Sequence, residues 1–337
     1  MAENFSDIGR VEAIRRLFEG TPYKPFEAAM TLSGEPSGSM CASRTFTEGV
    51  DFDLVYFPLT HLGYKCASAV SGALAASFMK TKTMSVVLSV SAKLDFEQVA
   101  LLWKGIVAAA SEAGAEKLTL DLAPSPNGLT VNISAMGTQS EKFLSSLPAP
   151  QSKDILCVSG SLGAAYVGMR LLEQEKARFE ASGEVSATSS LEKYKMLVGA
   201  YLKPEAVSRA VAVMEEEGVR PSLGAFVTKG LADAMKSIMR RTGLGVKVYA
   251  DRIPFEGNTF EVAREMGFDP VSAAMNGGED NVLLLTVNAA QYEVFRKAFP
   301  SFDAIGHLAV PEAGAVIVTP DGLEHEVTAP GWDGYDG

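Results

Sequence analysis

The stretch from Lys117 to Ser125, KLTLDLAPS, sets one carboxylate inside an otherwise apolar strand. Leu118, Leu120 and Leu122 alternate with Thr119, Asp121 and Ala123, a period of two that sends them to opposite faces of a sheet. Asp121 then faces away from the leucines, as a metal ligand, a hydrogen-bonded turn anchor or a solvated edge residue, and the pattern alone favours the last two. A second stretch, Val158 to Gly163 (VSGSLG), places glycines after a strand. Their backbone N–H groups can cradle a phosphate, or the glycines can simply permit a tight strand-to-helix turn, which is the commoner use. Neither GxGxxG nor a P-loop motif is present. His61, His307 and His325 stand in no Ser/His/Asp order, and Cys41, Cys66 and Cys157 lack CxxC spacing. The cysteines read as small core residues.

These residues need a scaffold, and a chain of 337 residues with 47% hydrophobic and 21% charged composition fits two globular domains. A net charge of -11 without a Lys/Arg cluster excludes a general nucleic-acid or anionic-membrane surface. The opening segment carries acids and no signal-like apolar run, and no later segment stays apolar for about 18 residues, so a cytoplasmic, soluble protein is expected.

Residues 6 to 20 carry an apolar face (Ile8, Val11, Ile14, Leu17, Phe18) between a Ser6 cap and Gly20, the pattern of a helix. Residues 31 to 43 are rich in Ser, Gly and Pro and predict a loop, with extended chain after it. From Pro58 a helix rich in small residues follows, able to lie close to a neighbour, then a strand from Thr83 to Val90. Asp95 and Gln98 form a capping box for a helix ending near Gly114. The Asp121 strand is expected to join Leu129–Met136 as a hairpin through SPNG at Ser125 to Gly128. Together these predict a mixed sheet with helices on one side. The polar, proline-bearing residues 138 to 152 place a boundary between domains 1–147 and 148–337. Beyond it come a buried strand at Asp154–Val158, a helix through Leu172, two helices split at Pro204, and a helix from Leu231 to Arg241 ended by Gly243. Strands at Ala225–Thr228, Val246–Ile253 and NVLLLTV, then strands near Ala304–Val310 and Ala315–Val327, complete an α/β domain.

Several stretches together resemble the thiamine-monophosphate kinase family, within the aminoimidazole ribonucleotide synthetase-like superfamily. They are Glu48 to Asp53 (EGVDFD), Pro58 with His61 to Lys65, Val158 to Ala165, Leu202 to Glu205, Arg252 to Pro254, Asn276 to Asp280 (NGGED), and Gly331 with Trp332. The resemblance implies an α+β N-terminal mixed sheet that pairs across a homodimer into a barrel, beside a C-terminal α/β domain. It also implies transfer of the γ-phosphoryl of ATP to thiamine monophosphate, with magnesium held by aspartates, because a polyphosphate needs its charge neutralised and positioned.

This chain departs from that pattern at the metal site. The family's Gly-Asp-Asp falls on Phe26, Glu27 and Ala28, leaving Glu27 as the one substitute. An aspartate of the family falls on Arg44, its nearby histidine on Asp51, and the Asp-x-Ser-Asp-Gly-Leu motif on Phe226 to Leu231, where Phe226 and Lys229 stand at the two aspartates. Asp121 alone survives from the Gly-Gly-Asp strand. Arg44 and Lys229 either pair with Asp121 or Glu27 as a structural ion cluster, or bind a phosphate directly without metal. Asp280 and Glu279 match the family, with Asn281 in place of its tyrosine; they cap a strand-entry turn or touch ligand. Trp332 matches the residue beside the thiamine ring, or anchors the chain end by packing. The expected site set is thus Glu27, Arg44, Asp121, Lys229, Asp280 and Trp332, with Asp121 as the candidate metal ligand. The expected protein is a homodimeric, catalytically inactive relative that acts by binding a small molecule or a protein partner. An active ATP- and magnesium-dependent thiamine-phosphate kinase, and a metal-independent binder of a phosphorylated small molecule, are the alternatives.

Overall fold

The computed structural model describes residues 10–23, 38–182, 192–330 and 332. It divides into two compact units, Met1–Leu144 and Ser145–Gly337.

The first unit holds α1 (Arg10–Phe18), β1 (Ser39–Thr47), α2 (Leu59–Ala76), β2 (Lys80–Val90), α3 (Phe96–Glu112), β3 (Lys117–Pro124), β4 (Thr130–Thr138) and α4 (Glu141–Leu144). Ile14, Leu17 and Phe18 of α1 are buried, as the helical period requires, and the Phe18 ring centre lies 5.1 Å from that of Trp103 on α3. Ser6 and Ile8 lie outside the described residues. The predicted capping box is present: Gln98 N donates to Asp95 Oδ1 at 2.8 Å and Asp95 N donates to Gln98 Oε1 at 3.0 Å. Pro58 holds the N-cap position of α2, as the helix expected from Pro58 requires, and His61 lies in its first turn. Two small residues let α2 and α3 touch backbone to backbone. A Cβ on Gly63 would sit 2.0 Å from Leu102 O, and one on Gly105 would sit 2.0 Å from Thr60 O.

The sheet order is β1-β4-β2-β3, with β2 and β3 parallel and the other pairs antiparallel. The expected SPNG hairpin is therefore wrong: β3 and β4 are not neighbours. A helix joins β2 to β3, which makes that pair parallel, and β4 gains two partners by running between β1 and β2. The predicted loop over residues 31–43 also ends early, because β1 starts at Ser39, opposite Thr138. Phe46, Met84, Val86, Leu88, Val131 and Ile133 form the buried face. The other face carries Ser43, Ser134, Ser85 and Thr119 in one row across the strands, and Thr45, Asn132, Val87 and Asp121 in the next. Cys41 shares that open face and is exposed, a correction to its expected core role; Cys66 and Cys157 are buried as expected.

The second unit is a seven-stranded sheet in the order β11-β10-β7-β9-β5-β8-β6. Its strands are β5 (Ile155–Val158), β6 (Leu223–Val227), β7 (Gly245–Tyr249), β8 (Val282–Val287), β9 (Asp303–Ala309), β10 (Ala315–Val318) and β11 (Glu324–Glu326). Its helices are α5 (Ala164–Ser182), α6 (Lys195–Leu202), α7 (Ala210–Glu216), α8 (Leu231–Thr242), α9 (Thr259–Glu265), α10 (Pro270–Asn276) and α11 (Tyr292–Ala298). Leu156, Val158, Val246, Val248 and Leu284 of the sheet pack with Leu231, Met235 and Ile238 of α8 in one core. β7 stops at Tyr249, where a 3-10 turn at Ala250–Arg252 replaces the expected strand to Ile253. Helix α10 is absent from the sequence reading, although Asp269 and Pro270 announce it: Ser272 N donates to Asp269 Oδ2 at 2.7 Å, and proline fills the first turn. Among the described residues no helix is long and apolar enough to cross a membrane.

Candidate functional site

In the first unit the strand register decides which expected site residues can meet. Val87 faces Asp121, and Val86 faces Leu120. Through β4, Arg44 shares its row with Ile133, Val86 and Leu120, whereas Asp121 shares a row with Val87, Asn132 and Thr45. Neighbouring rows point to opposite faces of a pleated sheet, so Arg44 and Asp121 do not pair. Arg44 instead lies with a guanidinium nitrogen 4.0 Å from Asp51 Oδ1 and its centre 4.7 Å from the middle of the Phe46 ring. Asp51 is itself fixed, since Thr47 N donates to its Oδ2 at 2.8 Å. Asp121 is exposed on the edge strand, where its Oδ1 accepts from Leu122 N at 2.9 Å. Glu27 lies outside the described residues.

Magnesium is the ion the resemblance implies, and it requires several hard oxygen ligands in near-octahedral array. Asp121 has a valine, an asparagine and a threonine in its row. Among the described residues no group of three or more His, Cys, Asp and Glu side chains could hold a metal ion. The described donor set does not fit magnesium.

In the second unit the glycine turn after β5 meets the loop before β8. Gly163 has φ +77° and approaches α10 so closely that a Cβ would sit 2.9 Å from Ala274 N. Asp280, 7% exposed, turns its carboxylate to the start of α5, where Gly163 N donates to Oδ2 at 3.0 Å and Ala165 N to Oδ1 at 3.4 Å. Of the glycine amides that the sequence offered to a phosphate, that of Gly163 is thus taken by an internal carboxylate. Glu279 and Asn281 on either side of it hold φ values of 69° and 54°, an arrangement that costs energy in residues with a Cβ. Glu279 N donates to Thr228 O at 2.8 Å, which lays this loop beside the β6–α8 turn. Lys229 projects from that turn and is exposed. Trp332 is partly buried against the second unit's core, and its Nε1 donates to Asp233 Oδ1 on α8 at 2.9 Å. The sequence names Asp280 but not the helix start it caps, and it does not pair Arg44 with Asp51, whose signal was a departure from the family pattern with opposite charges.

No protein-family model matches the chain. Sequence comparison finds thiamine-monophosphate kinase of Methanopyrus kandleri, 24% identical over 132 residues, which is 39% of this chain and 38% of that protein. The thiamine-monophosphate kinase of Bacillus subtilis is 22% identical over 277 residues, 81% of this chain and 78% of that one. The chain resembles the thiamine-monophosphate kinases in both sequence and fold. Thiamine-monophosphate kinase from Stenotrophomonas maltophilia superposes with a TM-score of 0.74 at 22% identity, covering 94% of this chain and 96% of that one. A structure of AaThiL complexed with AMPPCP and TMP has a TM-score of 0.69 at 19% identity, covering 95% and 98%. The expected two-part mixed α+β and α/β architecture of this kinase fold is borne out.

Proposed function

We propose that this thiamine-monophosphate-kinase-like protein acts by binding and does not carry out magnesium-dependent phosphoryl transfer. The Arg44–Asp51 contact carries the reading. The two positions at which the family pattern has an aspartate and a histidine hold an arginine and an aspartate here, 4.0 Å apart. A guanidinium in place of the carboxylate offers a divalent cation no oxygen ligand at this position. Lys229, exposed beside Gly230, supports a phosphorylated small molecule as the ligand, held through charge without metal. The open face of the first sheet supports a homodimer, because a sheet face lined by short hydroxyl side chains can lie against a second copy.

Calorimetric titration with ATP, with and without magnesium, and then with thiamine monophosphate tests this, with product analysis alongside. The expected result is no magnesium-dependent formation of ADP and thiamine diphosphate, and ligand binding weakened by Lys229→Glu. Turnover that needs magnesium and is abolished by Asp121→Ala would establish the kinase reading instead.

A further inference from the structure

The second unit contains a cavity of about 550 Å³ that uses none of Arg44, Asp121, Lys229 or Trp332. Ser159–Ser161 and the first turn of α5 form one wall, α6 and the segment from Pro204 to Val213 another, and Phe299 with Phe302 a third. The rings of Phe299 and Phe302 stand edge to face at 5.1 Å, and Phe295 packs against both. Such a wall accepts a flat apolar body. The volume falls in the range of small-molecule sites, which run from about 300 to 1,000 Å³.

Charge at this cavity differs from that of the whole chain. In a protein of net charge -11, Lys195, Lys203 and Arg209 all line it, against Glu205 and Glu256. The third acid of the lining, Asp280, is directed to the amides of Gly163 and Ala165. The three cations are exposed and form no ion pair with a described residue. Asn281, 3% exposed, belongs to the same lining. Its Nδ2 donates to Glu279 O at 2.7 Å, while its buried Oδ1 receives no hydrogen bond. A buried acceptor without a donor is costly, and a bound group or a water held with it supplies what the chain does not.

We infer that this cavity binds a small organic anion with a flat apolar body of about nucleoside size. The body lies against the phenylalanine wall, the anionic end meets Lys195, Lys203 and Arg209, and a donor on the body or a trapped water meets Asn281. The site goes beyond the proposed function, which rests on other residues.

Gly199 provides the test. It lines the cavity from α6, and a Cβ there would meet no atom within 4 Å, so a larger side chain enters the space instead of the core. The probe is 8-anilinonaphthalene-1-sulfonate, an aromatic body with one sulfonate, titrated into the full chain by fluorescence. One saturable site per chain is expected, weakened at least about tenfold by Gly199→Phe and by the surface double variant Lys203→Glu/Arg209→Glu. Affinity within about twofold of the parent in Gly199→Phe would overturn the site. Should the double charge reversal alone leave affinity unchanged, assignment of an anionic ligand fails. That variant alters exposed residues, so the test survives any loss of folding in Gly199→Phe.

Discussion

Asp280 and Gly163, 117 positions apart in the chain, are joined by a 3.0 Å hydrogen bond from the Gly163 N–H to Oδ2 of a carboxylate whose other oxygen, Oδ1, accepts from Ala165 N at 3.4 Å. The bond places a negative charge at the start of a 19-residue helix, where the unpaired amides and the helix dipole both favour it. Asp280→Ala removes a cap that the buried position denies to water. We expect a loss of about 2 kcal/mol in urea-induced unfolding, with Asp280→Asn losing less because one amide can still be satisfied. Equal stability of Asp280→Ala and the parent would show that α5 does not depend on this carboxylate.

The Arg44–Asp51 contact is weaker. Its side chains are 27% and 24% exposed, and 4.0 Å is the outer limit of an ion pair, so Arg44→Ala should cost about 1 kcal/mol including the lost contact with the Phe46 ring. A double-mutant cycle with Asp51→Ala measures the coupling. Additive losses would remove the pair from the account of why this chain holds an arginine here.

Two glycines should respond in opposite directions. Gly63→Ala drives a methyl group to 2.0 Å from Leu102 O, and since that neighbour is backbone, α2 and α3 must separate. A loss of about 3 kcal/mol or more is expected. Gly199→Ala meets nothing, lies within α6 and should gain about 0.5–1 kcal/mol from the better helix former. Thermal unfolding of both variants checks the pair; a destabilised Gly199→Ala would mean that the cavity wall is closer than it stands here.

What could be read from the residues is what depends on near neighbours. Asp95 with Gln98, the α1 apolar face and Gly243 at the end of α8 act within a few positions, and each is found where the chain announces it. The β3–β4 hairpin failed because SPNG permits a turn but cannot say which strand wins the neighbouring slot, a matter of long-range pairing. The same limit hid the site. Nothing near Arg44 says that its row excludes Asp121, and nothing near Gly163 says that a carboxylate from the β8 approach will occupy its amides.

His307 gives the chain a pH-dependent term. It lies across from Lys247 on β7, with Tyr249 Oη 3.5 Å from its Nδ1 and Arg252 stacked over the Tyr249 ring. Burial first, then the charges of Lys247 and Arg252, lower its pKa below the ordinary 6.5, with Glu324 opposing them. As pH falls through 6.5 the unfolded chain takes up a proton that the folded chain refuses, so stability declines until the folded pKa is reached and then levels off. Urea midpoints between about pH 5 and 7 should fall less steeply on acidification in His307→Gln than in the parent. Parallel slopes would assign the acid sensitivity to other groups.

The thiols connect fold to assembly. Burial, helped by the nearby Asp303 carboxylate, pushes the Cys157 thiol up to about 12, so at pH 8 it offers almost no thiolate, while Cys66 is shielded by packing. Cys41 is exposed on the open face of the first sheet, in the strand position opposite Met136. A disulfide-exchange reagent should therefore label Cys41 quickly and the other two only on unfolding. Should that face be the homodimer surface proposed above, Cys41 labelling must slow as protein concentration rises through the dimer dissociation constant. Light scattering fixes that constant independently. A Cys41 rate that stays constant while the mass doubles would place the dimer contact elsewhere on the molecule.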